Sequence, residues 1–157
     1  MTRRVTLICG PPCAGKSTLV TELAQPGDLV VCVDSLAMAE GSPVSHNHTG
    51  HFFGVAQKRF NELCRQVRDD PKAQAWVVRC APEPHVRREL AQQVGATHSI
   101  VLLPNIQVAA QRAAQRDSAS YAATLKAIRS WYQRFRPTPF DEVRLIEPDG
   151  SWRPLEG

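Results

Sequence analysis

None of the five cysteines, at 9, 13, 32, 64 and 80, forms a CxxC pair, and an odd count cannot be fully bridged. That pattern favours a reducing, cytoplasmic setting over a disulfide scaffold. Cys9, Cys32 and Cys80 lie in or beside apolar runs, where thiols behave as small hydrophobes. Long hydrophobic runs are also missing. No stretch approaches the roughly 20 apolar residues of a membrane span, so no membrane partner is expected. After Met1-Thr2-Arg3-Arg4 only five residues precede Gly10, too few for the apolar region of a signal peptide. Internal repeats, low-complexity segments and linkers are absent as well, which leaves residues 1–157 as one expected domain.

What is present is ordinary for a folded globule. Apolar residues make up 43% and the formal net charge is +4, a mild surplus that suits a polyanionic ligand or a solvated surface alike. Short apolar runs at Val5–Cys9, Leu29–Val33, Ala75–Cys80, Ser99–Leu103 and Glu142–Ile146 alternate with helical patterns. The helices are expected over Lys16–Ala24, Phe53–Arg68, Pro84–Gln93, Pro104–Arg116 and Tyr121–Phe135, with residues 148–157 as a loose tail. Strands apolar on both faces, separated by helices, predict an α/β fold of three layers around a five-stranded parallel sheet.

The first strand runs directly into Gly10-Pro11-Pro12-Cys13-Ala14-Gly15-Lys16-Ser17, a full match to G-x-x-x-x-G-K-[ST], and a helix runs out of it. Strand, loop and helix in that order form the phosphate-binding P-loop. Its backbone N–H groups and the helix N-terminus supply positive potential to a nucleoside triphosphate. Lys16 is expected on the β- and γ-phosphates, Ser17 on Mg²⁺ and Thr18 on the α-phosphate. Cys13 stands where many such loops carry glycine. A thiol at a helix N-terminus can be redox-active, or can simply be a small residue that fits.

The second strand leads into Asp34, a carboxylate at the ligand end of a parallel sheet. It is a candidate general base and magnesium ligand, or an N-cap for the segment after it. The third strand has no Asp at its end, which argues against a remodelling or transport ATPase. Arg79 there is a candidate substrate contact, or a partner for Asp69, Asp70 or Glu83. Arg112 and Arg116 share a helix face and are suited to stabilising charge on a transferring phosphoryl group, or to facing solvent.

Strand, G-P-P-x-A-G-K-S-T, strand leading to Asp, and a late R-x-x-x-R before a short polar break together resemble the polynucleotide kinase and nucleoside kinase branch of P-loop proteins. The pattern is most similar to compact kinase-like "AAA" ATPases of phage genomes, over Thr6 to Ile146. The resemblance implies ATP and Mg²⁺ as cofactors held by Lys16 and Ser17, Asp34 as base, and a lid over about 112–122. In it, Arg112 and Arg116 would clamp the γ-phosphate. The expected reaction is phosphoryl transfer to a hydroxyl of a nucleoside, nucleotide or polynucleotide 5′ end. A metabolite or antibiotic kinase and an ATP-dependent switch are the alternatives.

His46, His48 and His51 form H-x-H-x-x-H in a polar loop. His46 and His48 are candidate substrate contacts. The trio also suits a transition metal, or a plain polar loop. Arg129, Arg134 and Arg136 interleave with Trp131, Tyr132 and Phe135, a pattern of base-stacking surfaces and, more often, of a core edge with a charged rim.

Overall fold

The computed structural model describes residues 2–43, 48, 50–116 and 118–155. Five parallel strands form the centre: β1 (Arg4–Cys9), β2 (Leu29–Cys32), β3 (Gln74–Arg79), β4 (His98–Pro104) and β5 (Asp141–Ile146). A sixth, β6 (Trp152–Pro154), pairs antiparallel with β5, and the order across the sheet is β2-β3-β1-β4-β5-β6. The helices are α1 (Lys16–Leu23), α2 (Val33–Ala39), α3 (Gly50–Asp69), α4 (Pro84–Val94), α5 (Ile106–Arg116) and α6 (Tyr121–Arg134).

The period of two along each strand sorts the core into two faces. Val5, Leu7 and Cys9 of β1 join Ala75 and Val77 of β3 against Phe60, Leu63, Cys64 and Val67 of α3, Leu90 and Val94 of α4, and Trp131 of α6. Ile8, Trp76, Val78, Ile100 and Leu102 face the other way, against Val20 of α1. The result is helix, sheet and helix in three layers, a P-loop NTPase fold.

Two sequence expectations are corrected. The sheet has six strands and is mixed, because the tail expected to be loose turns back as β6. Asp149-Gly150 makes the turn, with Gly150 at φ 90° and its N–H on Glu147 O, and Asp149 accepting from Ser151. Asp-Gly between strands is a hairpin signal, but three exposed residues give no apolar run to read. Trp152 is held under the Arg144 guanidinium, 4.3 Å from it. The second correction is at β2. It stops at Cys32, and Val33 begins α2, so Asp34 lies in the first turn of a helix rather than at a strand end.

Arg87 is buried at 2% exposure. Its guanidinium pairs with Asp141 at 2.8 Å, where both side chains are 2% exposed. It also donates to the carbonyls of Ala81 (3.0 Å) and Pro82 (2.6 Å). Asp141 in turn accepts from Ser99 Oγ and from the N–H and hydroxyl of Thr138. This network ties the start of β5 to the loop after β3. Burial pushes the Asp141 carboxyl upward, but the bonds from Arg87, Ser99 and Thr138 outweigh it and hold its pKa below the usual 3.8.

Removing one partner of a buried pair strands the other charge in the interior. Asp141→Ala is expected to cost about 3–5 kcal/mol, read as a lower urea midpoint. Because the folded pKa is depressed, the wild-type contribution is present above pH 3.8 and fades as pH falls below it. The variant's acid transition should lack that component.

Candidate active site

The sheet order makes β1 the switch point. The chain leaves β1 for β2, beyond β3, and leaves β3 for β4 on the opposite side of β1. Connections that diverge in this way open a crevice at the carboxyl ends of the strands. The phosphate loop fills that position. Gly10 must be glycine, since a Cβ there would lie 2.8 Å from the Leu102 carbonyl oxygen of the neighbouring strand. Gly15 caps α1 at φ 93°, another conformation that favours glycine. Cys13 adopts φ 65°, which costs an L-residue roughly 1–2 kcal/mol. Packing of its buried side chain with Ala109, Ala113 and Ile128 offsets the strain.

The N–H groups of Lys16, Ser17 and Thr18 open α1, where no intrahelical acceptor exists and no side chain caps the helix. They face a cavity of about 570 Å³. One wall is the loop from Pro12 to Thr18, a second is Cys32 to Asp34 with Phe53, and a third is Val78 to Glu83. Arg116 and Thr124 also line it. Lys16 Nζ donates to the carbonyls of Gly10 and Pro11, both at 2.9 Å, and lies 3.6 Å from Cys80 Sγ. Gly10 and Pro11 therefore serve the site through their carbonyls, behind the cavity wall.

Asp34, Arg79 and Arg116, far apart in sequence, meet in this one cavity. Arg112 is not on its wall. Its Nη1 donates to Cys13 O at 3.2 Å and lies near Gly15, so it braces the loop from outside. Its residue spacing put it on the Arg116 face, but one helical turn carries it past the cavity onto the loop. Arg79 pairs with neither Asp69, Asp70 nor Glu83. Its Nη1 donates to Gln57 Oε1 at 2.9 Å, and its guanidinium lies 5.0 Å from the centre of the Phe60 ring.

His46 lies outside the described residues. His48, expected as a substrate contact, is not on the cavity wall, and its side chain is 2% exposed. Its Nδ1 is 2.6 Å from Ser42 Oγ. Its Nε2 is 3.0 Å from Asp34 Oδ1, ion-pair distance but out of line for a hydrogen bond. The imidazole backs the carboxylate instead of reaching into the cavity. His51 packs edge-on against Phe52. Among the described residues no cluster of three metal-ligating side chains occurs.

A family model described as an AAA domain matches residues 5–138. The chain belongs to this AAA domain family. The same span holds the phosphate loop, Asp34, Arg79, Arg112 and Arg116. No curated protein sequence matches the chain. Among solved structures it is similar to a sugar kinase from Janibacter sp., at TM-score 0.62 and 17% identity over 95% of this chain and 87% of that one. It is similar to a gluconokinase from Sinorhizobium meliloti, at 0.58 and 15% over 91% and 82%. A structure of the PezAT chromosomal toxin–antitoxin system of Streptococcus pneumoniae matches at 0.62 and 12% over 96% and 69%. At such identities the likeness establishes the P-loop fold. Among the described residues, no helix is long and apolar enough to cross a membrane.

Sequence reasoning did not place Cys80, Thr124 or Trp131 at or behind this cavity. Trp131 Nε1 donates to Cys80 O at 2.8 Å and fixes the third wall from behind. A buried indole N–H needs such a partner, but nothing in the sequence says which carbonyl supplies it.

The Gly10 contact gives a direct test. Gly10→Ala should push β1 away from β4, cost about 1–3 kcal/mol of overpacking strain and weaken nucleotide binding. Urea unfolding and titration with a fluorescent ATP analogue measure the two effects. Wild-type values in both would mean that the close approach is not required.

Proposed function

We propose that the protein is an ATP-dependent phosphotransferase whose acceptor is the hydroxyl of a small metabolite. The observation that carries this reading is the convergence of the phosphate loop, Asp34, Arg79 and Arg116 on one cavity. Sugar kinase and gluconokinase structures of the same fold support a small acceptor. A nucleoside, nucleotide or polynucleotide 5′ end is the acceptor implied by the resemblance to the polynucleotide kinase and nucleoside kinase branch. It finds less support, because the aromatics expected to stack bases are otherwise engaged. Trp131 is 1% exposed and stacks on Phe135 at 4.8 Å. Arg134 is bound to Glu83, and Arg136 to backbone carbonyls.

In this mechanism the acceptor oxygen bonds to the γ-phosphorus as the bond from that phosphorus to the β–γ bridging oxygen breaks. ADP leaves with the electron pair, and the hydroxyl proton passes to the Asp34 carboxylate and then to water. Lys16 and Arg116 stabilise the charge on the equatorial oxygens. Arg112 keeps the loop in place through Cys13 O. The donor set suits Mg²⁺, a hard cation: the Ser17 hydroxyl has no protein partner among the described residues, and the Asp34 carboxylate lines the same cavity. When bound there, the ion would neutralise charge between the phosphates. The segment 112–122, from the last turn of α5 into the start of α6, serves as the lid in this reading.

Transfer is measured with γ-labelled ATP and thin-layer separation. Label should move to a hydroxyl compound, whereas release of free phosphate alone would favour an ATPase switch. Asp34→Asn should lower transfer by about 10²–10⁴-fold with ATP affinity largely kept. Lys16→Ala should lose both. Full transfer by the Asp34 variant would remove that residue from the mechanism.

A further inference from the structure

Arg79 is held in place by groups that leave its charge uncompensated. Among the described residues no carboxylate lies within ion-pair distance of it. Its partners are the Gln57 amide oxygen and the face of Phe60. Gln57 is itself aligned, through Nε2 to Asn61 Oδ1 at 3.2 Å. The contrast with its surroundings is specific. Arg87 is neutralised by Asp141, and Glu83, the other carboxylate on the cavity wall besides Asp34, is taken by Arg134. A half-buried guanidinium pre-aligned by neutral groups, with most of its donors unused, is organised to receive an anion.

Its position assigns that anion to the acceptor. Along β3, Arg79 follows Ala75 and Val77 on the α3 face, whereas the loop lysine touches Cys80. Register pairs Cys32 of β2 with Val78 of β3, so Arg79 and Asp34 stand one and two residues beyond partnered positions of adjacent strands. A molecule with its hydroxyl at Asp34 would bring a neighbouring substituent to Arg79.

We propose that the acceptor is an anionic hydroxyl compound, its carboxylate or phosphate group received by Arg79. This rests on the phosphotransfer reading and specifies its substrate class.

The test uses matched triples: glycerol, glycerate and glycerol 3-phosphate, then glucose, gluconate and glucose 6-phosphate. ADP release is followed for the wild type, Arg79→Gln and Arg79→Lys. In parallel, the Arg79 Nε–H resonance, assigned by its loss in Arg79→Gln, is followed during titration of the protein with each compound. An anionic member should be used in preference to its neutral counterpart and should shift the resonance. Arg79→Gln should raise the acceptor KM roughly 10- to 100-fold with little change in kcat, the loss expected for a charge-assisted bond. Arg79→Lys, which keeps the charge but loses the fork, should fall between. Preference for the acid or for the ester tells carboxylate from phosphate. Neutral compounds used as well as anions, or an unchanged KM in Arg79→Gln, overturns the proposal while leaving phosphotransfer standing. No ADP release and no shifted resonance with any compound overturns both.

Discussion

The site depends on one constraint, the close approach of β1 to β4 at Gly10. There the backbone passes within contact of Leu102 O, with no room for a side chain. Only then can the loop turn through Cys13 and Gly15 in left-handed conformations and start α1 with its N–H groups toward the crevice. Those groups have no partner within the helix, so an anion placed there meets the helix's positive end. A wider turn would spread the donors and lose the focus.

The remaining walls are held by a second device remote from the phosphates. Arg87 grips the carbonyls of Ala81 and Pro82 while paired with Asp141, and Trp131 holds Cys80 O. Ala81 is at φ 34°, a conformation that a free chain would avoid. The grip of Arg87 keeps it there. The buried ion pair therefore shapes the loop between β3 and α4, and through it the wall that carries Arg79 and Glu83. Stability and function meet in this pair. Substituting it would disturb the cavity even though neither residue lines it.

How much of this was legible follows from the kind of signal each element leaves. The P-loop is a local pattern with fixed spacing, so sequence alone places it and the parallel strands around it. The β2–α2 boundary shifts because Val33 suits strand or helix, and packing decides. β6 escaped because a three-residue exposed strand has no apolar period. The Arg87–Asp141 pair was illegible because its partners are 54 residues apart and a buried arginine looks like a surface one. The placement of His48 was illegible for a related reason. Histidines in a polar loop suggest outward contact, yet this one turns inward behind Asp34.

Charge distribution connects these observations. Away from the cavity, arginines at 59, 68, 87, 134, 144 and 153 have a carboxylate partner, whereas Arg3 and Arg136 are held by backbone carbonyls. Around it, Lys16, Arg79, Arg112 and Arg116 have none among the described residues, and carbonyls or an amide oxygen hold three of them. Dipolar partners fix a cation's direction without cancelling its field, which in a partly desolvated cleft reaches further than in water. Such an arrangement costs stability in the free protein and gains it back when anions enter. The mild overall surplus of +4 conveys none of this, because the focus arises from where the fold gathers its acid-free cations, with Lys16, Arg79 and Arg116 on one cavity.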